Sequence, residues 1–440
     1  SRVKVECMTS VRSLDSDRGS VPGTKRRMPG FVVTAICLAT FGPYLVGSVR
    51  TEQAVVYGLF LLMLPVILGN FRGVGGIRFL APWVGYVAIA TLGVVAPSGM
   101  PAPYDPGVLL GGYDSILLPL ALMLLIWAVV PDEDAEGLLV RACKIVAVAM
   151  AANGLIALLA TVLDLTAVLR PFWANENVVT TTSDLAAQMG RFSGIFNQPA
   201  EAGALYGIAG IAAIYAWTHR PLLVAFLVTL ITLGGLVSVS KIFLFGGLPA
   251  IVVYWFWSQR GHRKVSGLLG FALIAGGLIG SGLLDEWTGA DFLGRLFEAT
   301  DQSLFSLYSA GRFERDSTFF TVVDQALAYN PISGVGAAGW RTPYDGAIAE
   351  ALVVGGLLGL LMYGFVIAAM FTTPRKLSGS TRWFAFLLAA LTLGGSLGFS
   401  PLTANRVSTV TWLLISLLVL VARSRSQPDR AGREAGTKAR

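Results

Sequence analysis

Long apolar segments recur from one end of this chain to the other, and short polar connections separate most of them. Each segment is about 18 residues or longer, which as a helix is enough to cross the roughly 30 Å hydrocarbon layer of a bilayer. Only 13% of the residues are charged, against about a quarter in soluble domains. The segments are continuous and lack the alternating pattern of barrel strands. The sequence therefore predicts an all-α, polytopic membrane protein.

The apolar pattern predicts about twelve transmembrane helices within one membrane domain, residues 31–422. The expected spans are 31–49, 53–69, 78–97, 112–130, 138–161, 198–217, 221–239, 242–258, 265–284, 346–371, 382–399 and 407–422. The flanking segments 1–30 and 423–440 are polar and mixed in charge. Such a composition predicts disordered tails.

Arginine and lysine are divided unevenly between the two sets of short loops that this topology creates. The loops on the side of the N-terminus hold eleven of them, and the opposite loops hold three. Cytoplasmic loops carry the excess of positive charge, so we expect both termini in the cytoplasm. The net charge of +7 then reflects topology and attraction to anionic lipids, and not binding to nucleic acid. The expected location is a cytoplasmic membrane.

The cysteines and histidines do not form a recognisable metal site. Cys7, Cys37 and Cys143 lie in the inner tail or in predicted spans, without the spacing of a zinc site or of a disulfide framework. His219 and His262 fall in loops predicted to be cytoplasmic. We therefore expect no metal ion and no histidine base on the outer side.

Two outer connections, 162–197 and 285–345, are much longer than the usual loop, which favours a functional role for both. The helical spacing of apolar residues in 291–308 predicts an amphipathic helix on the outer membrane surface. A second helix is predicted to begin at Asp316, as its cap, and to end at Asn330. The larger loop is therefore expected to be a small folded cap.

The predicted outer surface carries nine basic residues, although membrane topology disfavours positive charge there. They are Arg50, Arg170, Arg191, Lys241, Arg295, Arg312, Arg315, Arg341 and Arg406. Arginine presents a planar fork of donors that matches phosphate oxygens, so this set predicts a phosphate or diphosphate substrate at the outer interface. The alternative is that these arginines pair with acidic residues of the same loops, such as Glu298 and Glu314.

Several polar residues at the outer ends of spans also have a simpler explanation. Asn197 can cap the sixth span, with Pro199 in its first turn and Glu201 near its positive end. Lys241 can extend to the lipid headgroups. A helix start of this kind does not account for Arg191 or for Gly194.

Two carboxylates stand at the outer end of the tenth span. Asp345 lies at its mouth, and Glu350 lies about a turn and a half inside. An acidic residue at that depth is costly and is by default a candidate for function. The alternative for Asp345 is the N-cap of the helix. Arg312 and Arg315, three residues apart, are expected to share one helical face.

Four motifs in a fixed order carry a resemblance to a known family. They are RFSGIFNQPAEAG (191–203), SVSK (238–241), SAGRFERDSTFF (309–320) and NPISGVGAAGW with YDGAIAEALVVGGLLGLL (330–361). Together they cover about residues 190–365, and all are predicted to lie on the outer side or to enter a span from it. In order and sidedness the chain resembles the bacterial O-antigen ligase and polymerase superfamily.

The resemblance implies a GT-C-like membrane fold, without a cofactor or metal, that transfers a glycan from an undecaprenyl-diphosphate carrier. By position, Arg191 and Arg312 would hold the diphosphate leaving group. Asp345 stands where the ligases of this family have a histidine and would act as the base. Lys241 stands where the family commonly has arginine. The remaining expected substrate contacts are Arg315, Arg341, Glu350, Asn197 and Glu201.

Three functions are compatible with the sequence. The first is a polymerase that extends undecaprenyl-diphosphate-linked oligosaccharides, with a chain-length regulator or a flippase as its partner. It is favoured over a ligase because no histidine is expected on the outer side. The second is a ligase of the same superfamily. The third is a twelve-helix transporter or lipid flippase, which would place ionisable residues and broken helices near the midplane in matching halves.

Overall fold

The computed structural model describes residues 27–45, 49–70, 76–95, 110–174, 178–258, 317–341 and 346–426, and the single residues 265, 269, 272 and 289. Within these residues the chain is helical, and its one β contact is an isolated bridge between Tyr44 and Arg50. Apart from those single residues, the ninth predicted span and the predicted helix at 291–308 lie outside the described residues.

The α-helices are numbered here in chain order. They are α1 Arg27–Thr40, α2 Thr51–Leu62, α3 Leu64–Asn70, α4 Ile77–Val95, α5 Leu110–Val129, α6 Ala135–Leu159, α7 Thr166–Trp173, α8 Thr182–Gln188, α9 Pro199–Ala216, α10 Pro221–Val237, α11 Leu248–Ser258, α12 Thr318–Tyr329, α13 Ala347–Thr372, α14 Gly379–Gly395 and α15 Asn405–Ser426. A π-helix, Phe243–Gly247, runs into α11, and two 3-10 helices, Gly336–Arg341 and Thr373–Lys376, flank α13.

The helices confirm a helical membrane protein. Among the described residues, five segments are long and apolar enough to cross a bilayer by length and composition: Ile77–Val94, Gly112–Val129, Ala135–Leu159, Ala347–Lys376 and Arg406–Ser426. Shorter apolar helices occupy Met28–Thr40, Thr51–Leu62, Pro221–Val237 and Phe243–Ser258. The predicted span 53–69 is split into α2 and α3, with Pro65 in the first turn of α3, where its missing N–H is tolerated. The total of twelve spans stays a prediction.

Polar contacts cluster at the two opposite ends of helix α15. At the one that we name the Arg406 end, Arg406 binds the carbonyl of Gly42, which follows α1, and the carbonyl of Ile195, which precedes α9, both at 2.8 Å. At the other end of α15, Arg425 binds Glu136 at the start of α6, also at 2.8 Å. Helix α1 therefore ends, and α9 and α15 begin, at the Arg406 end, whereas α6 begins at the opposite end.

Two predicted boundaries need correction. The C-terminal tail was predicted from residue 423, but α15 continues to Ser426. Arg423 is held by Asp132 at 3.2 Å and Arg425 by Glu136, and these ion pairs extend the order of the helix. The outer loop 162–197 is not a plain loop, because it contains the helices α7 and α8.

Helix α9 is the centre of the described bundle. Most of its residues are buried, including Leu205, Tyr206 and Ile211 at 0% exposure. Its sequence is rich in glycine and alanine, and small residues of this kind let membrane helices approach closely. It packs against α6, α10, α11 and α14. The start of α9 therefore anchors the segment just before it, RFSGIFNQ, at the Arg406 end.

Helix α13 is broken at Gly356, whose φ of 57° and ψ of −152° are not helical. The N–H groups of Leu357 and Leu358 bind instead the carbonyls of Pro331 and Ile332, at 2.9 and 3.1 Å. The Val353 carbonyl accepts from the next part of that segment, the N–H of Val335, at 2.8 Å. Backbone groups released by the break are thus satisfied by another part of the protein, which is the condition for a broken helix at membrane depth.

The second helix predicted in the large loop is confirmed as α12, which ends at Asn330 as expected. Its N-cap residue is Ser317, so the prediction of Asp316 as the cap is wrong by one residue. Val323 and Ala326 are buried in a small cluster that also contains Val353 of α13. Helix α12 therefore packs on the first half of α13.

The break predicts that Gly356→Ala destabilises the protein, because φ and ψ of this combination are accessible essentially to glycine alone, at a cost of roughly 1–3 kcal/mol for other residues. The expected result is a lower apparent melting temperature in detergent. Gly364→Ala is the matched control, since Gly364 lies in the same helix with no atom near its Cβ position. Equal melting temperatures for the two variants would contradict a glycine-dependent break.

Candidate functional site

The RFSG segment meets the SVSK turn at the Arg406 end. The Phe192 N–H donates to the carbonyl of Val237, the last residue of α10, at 3.1 Å. The Arg191 guanidinium Nη2 donates to the carbonyl of Val239 at 3.4 Å. Lys241 begins the helical turn that follows and is half-buried. Two of the four motifs, whose contacting residues are separated in sequence by the helices α9 and α10, thus lie side by side.

Asn153, a residue of α6 that the sequence analysis missed, holds the RFSG segment in place. It is 1% exposed, and its Nδ2 donates to the Ser193 carbonyl at 3.2 Å and to the Tyr206 hydroxyl at 2.8 Å. Its Oδ1 accepts from the Ile195 N–H at 2.8 Å. Gly194 has a φ of 63°, and a Cβ there would collide with the Asn153 side chain. The glycine that a helix start did not explain is therefore required by this asparagine.

The start of α9 differs in detail from the prediction. Pro199 is the first helical residue as expected, but the N-cap residue is Gln198, so Asn197 is not the cap. The Asn197 Oδ1 accepts instead from the Ser183 N–H at 3.2 Å, which connects this segment to α8. Asn197 is a structural link between two helices at this end of the molecule.

Glu201 lies in the first turn of α9 and is only 5% exposed. It accepts a hydrogen bond from the backbone N–H of Arg406, and the guanidinium groups of Arg406 and Arg50 are its neighbouring cations. The carboxylate therefore sits at the positive end of α15, where a negative charge is stabilising. This position explains Glu201 without a substrate.

Besides Arg191, which donates to the Val239 carbonyl, three of the nine basic residues expected on the outer side are each held by two or more protein groups. Arg50 binds Glu52 at 2.8 Å and Asp114 at 3.2 Å. Arg170 donates to the carbonyls of Val178 and Val179, at 3.0 and 2.8 Å. Arg406, whose partners also include the carbonyl of Phe172 at 3.0 Å, is 2% exposed. These three contribute to packing and do not face a ligand.

A cavity of about 540 Å³ opens beside the RFSG segment. It is bounded by the end of α6, by α7 and α8, and by residues 191–194. Its polar lining includes Asp164, Asp184, Gln188, Arg191 and Ser193, and Trp173 lies among its apolar residues. Of the expected site residues that the structure describes, Arg191 is the one in its wall. Hydrogen bonds from the side chain and backbone of Thr166 lower the pKa of Asp164, so its carboxylate is charged at neutral pH.

The remaining expected residues are distributed as follows. Glu350 lies in the first turn of α13, is 8% exposed, and interacts with Ser400, Thr403 and Trp340. It does not line the cavity. Arg341 is the last residue of the 3-10 helix before α13. Outside the described residues are Arg312, Arg315 and Asp345.

No family model and no curated protein matches this chain. The resemblance to the O-antigen ligase and polymerase superfamily therefore depends on the four motifs themselves. RFSG and SVSK meet at the Arg406 end. The fourth motif contributes both the segment 331–335 and the broken helix that it contacts. Most of the third lies outside the described residues.

Asn153→Ala is predicted to loosen the RFSG segment, because it leaves the buried Ile195 N–H without its partner, at about 1–3 kcal/mol, and leaves the Ser193 carbonyl with only its longer bond from the Phe196 N–H. Faster hydrogen exchange in peptides covering residues 190–196 is the expected result. Asn197→Ala, which removes one hydrogen bond to Ser183, should change exchange much less. Unchanged exchange in Asn153→Ala would show that the asparagine does not hold this segment.

Proposed function

We propose that this protein polymerises undecaprenyl-diphosphate-linked oligosaccharide repeat units into a cell-surface polysaccharide at the outer face of a bacterial cytoplasmic membrane. The proposal includes about twelve transmembrane helices in a GT-C-like arrangement. The observation that carries it is the meeting of Arg191 with the turn that carries Lys241, next to a cavity of about 540 Å³. Two cations at one end of a membrane bundle, beside a cavity, suit an anionic lipid headgroup.

Positive charge at the opposite end supports this orientation. Arg423 and Arg425 lie at the far end of α15, together with Glu136 at the start of α6. Arg141 and Lys144 follow in the first turns of α6. An excess of basic residues belongs on the cytoplasmic side, so the Arg406 end is proposed to face outwards.

The proposed reaction needs no metal, because arginine can stabilise the charge that develops on a diphosphate leaving group. A hydroxyl oxygen of the acceptor attacks the anomeric carbon of the donor sugar, and the bond from that carbon to the diphosphate oxygen breaks. Undecaprenyl diphosphate leaves with the electron pair, held by Arg191 and Arg312. Asp345 takes the proton from the hydroxyl as the base.

The other expected contacts have different weights in this proposal. Lys241 keeps the positive charge expected at its position but lacks the two-donor fork of arginine. Arg315 and Arg341 stay proposed phosphate ligands. Glu350, near the start of α13, is a second carboxylate proposed to contact the substrate. Asn197 and Glu201 already have partners within the protein.

A transporter or lipid flippase is the second candidate, and the break in α13 favours it. Transporters use discontinuous helices around a midplane site, in matching halves. Here the break is closed by the backbone of residues 331–335. The polar groups of the cavity lie instead at one end of the bundle. A polymerase or a ligase of the same superfamily fits this placement better.

Arg191→Ala is predicted to abolish long-chain polysaccharide while the protein still inserts into the membrane, and Arg191→Lys should restore part of the chain-length distribution. The measurement is a gel ladder of the polysaccharide from cells that carry each variant. Arg170→Ala is the matched control, because Arg170 lies at the same end but binds carbonyls of its own loop. A normal ladder in Arg191→Ala would contradict the proposed diphosphate contact.

Loss of the whole protein separates the three functions. A polymerase mutant should accumulate single repeat units on the lipid carrier at the outer face. A ligase mutant should accumulate full-length polymer on the carrier, and a flippase mutant should retain single units on the cytoplasmic side. Mass analysis of the extracted lipid, combined with an enzyme that degrades only exposed glycan, distinguishes these outcomes. The second and third results would each reject the polymerase.

A further inference from the structure

The cavity beside RFSG contains a buried hydroxyl that the reaction proposed above does not use. Ser193 lines the cavity and is 2% exposed, and its Oγ has no hydrogen-bond partner among the described residues. Its carbonyl, by contrast, is held by Asn153 at 3.2 Å. A buried hydroxyl without a partner is costly, and nearly all such groups in proteins are satisfied by a ligand, water or the chain itself. Ser193 thus adds an unsatisfied polar group to the wall of the cavity.

The rest of the lining is mixed in charge. Arg191 is the cation of the lining, whereas Asp164 and Asp184 contribute carboxylates. The N–H and the hydroxyl of Thr181 both donate to Oδ2 of Asp184. Among the described residues, Oδ1 is thus available to a ligand. Gln188 lies one helical turn after Asp184 in α8, at the exposed rim of the cavity. The lining therefore offers one site for an anion and several for hydroxyl groups.

This combination excludes two simple kinds of occupant. A ligand that is anionic throughout would be repelled by the carboxylates of Asp164 and Asp184. A hydrocarbon chain would leave Ser193 and these carboxylates desolvated without hydrogen bonds. A ligand with one anionic end and a body rich in hydroxyl groups satisfies all of them, because hydroxyls donate to carboxylates and accept from the Gln188 amide. A volume of about 540 Å³ is within the usual range of small-ligand sites.

We propose that this cavity binds the carbohydrate next to the carrier diphosphate, with Ser193, Asp184 and Gln188 as its hydrogen-bonding groups and Arg191 at its phosphate end. The inference rests on the function proposed above and adds the location of the sugar. Trp173 supplies apolar surface in the same cavity, as a sugar ring requires on its carbon face. Its indole N–H is already used by the Gly194 carbonyl, at 2.8 Å, which holds the side chain in place.

The test is lipid binding to the full-length protein in nanodiscs. The two probes are undecaprenyl diphosphate without sugar, and the lipid-linked oligosaccharide extracted from cells that lack this protein. Wild type is expected to bind the glycosylated lipid more tightly than the bare one. Gln188→Ala and Ser193→Ala should each weaken binding of the glycosylated lipid by roughly three- to tenfold, the equivalent of about one hydrogen bond. Arg191→Ala should weaken both lipids.

Gln198→Ala is the matched control, because Gln198 is also an exposed glutamine at this end of the protein but does not line the cavity. It should behave as wild type. If Gln188→Ala and Ser193→Ala retain the full preference for the glycosylated lipid, the cavity is not the sugar site, although the proposed function stands. If wild type binds neither lipid, the proposed function itself fails, and the sugar site with it.

Discussion

The guanidinium group of Arg406 is the interaction on which the Arg406 end depends. It donates to carbonyls that follow α1, end α7 and precede α9, those of Gly42, Phe172 and Ile195. Its cation also lies 5.4 Å from the centre of the Phe196 ring. Backbone carbonyls close to a bilayer cost several kcal/mol each when water cannot reach them. One buried arginine therefore satisfies three irregular connections together and sets where RFSG can lie.

Glu201, in the first turn of α9, is the acidic partner of Arg406. The carboxylate offsets the charge of Arg406 and accepts from the Arg406 backbone N–H, near the positive end of α15. Removal of either partner would leave the other charged and buried, which is far more costly than losing both. Arg406 and Glu201 are thus expected to depend on each other, and the geometry of Arg191 depends on both through the short connection from Ile195 to α9. The proposed function of the cavity therefore depends on the packing of Arg406 and Glu201 against each other.

Much of the fold follows from the sequence, because apolar length and the positions of proline and glycine determine where a helix can cross a membrane. The apolar helices and the helix α12 were both predictable in this way. Asn153 was not, since one polar residue inside an apolar span has no pattern that identifies its partners. The helices α7 and α8 were missed because each is about two turns long, too short for a clear periodicity. The break in α13 depends on a contact with residues 331–335, which sequence alone does not reveal.

The candidate site was predicted less well, and the outer arginines show why. Topology indicates that positive charge on the outer side needs a reason, but it does not distinguish a substrate from a backbone carbonyl. Arg170 and Arg406 satisfy carbonyls away from the cavity, whereas Arg191, which also donates to the Val239 carbonyl, lines it. The RFSG motif itself also combines a packing role and a cavity-lining role. Its backbone, with Gly194, is fitted to Asn153, and its side chains Arg191 and Ser193 line the cavity. The proposed contact with the leaving group needs both halves, because a cation held by a loose segment could not hold a leaving group in one position.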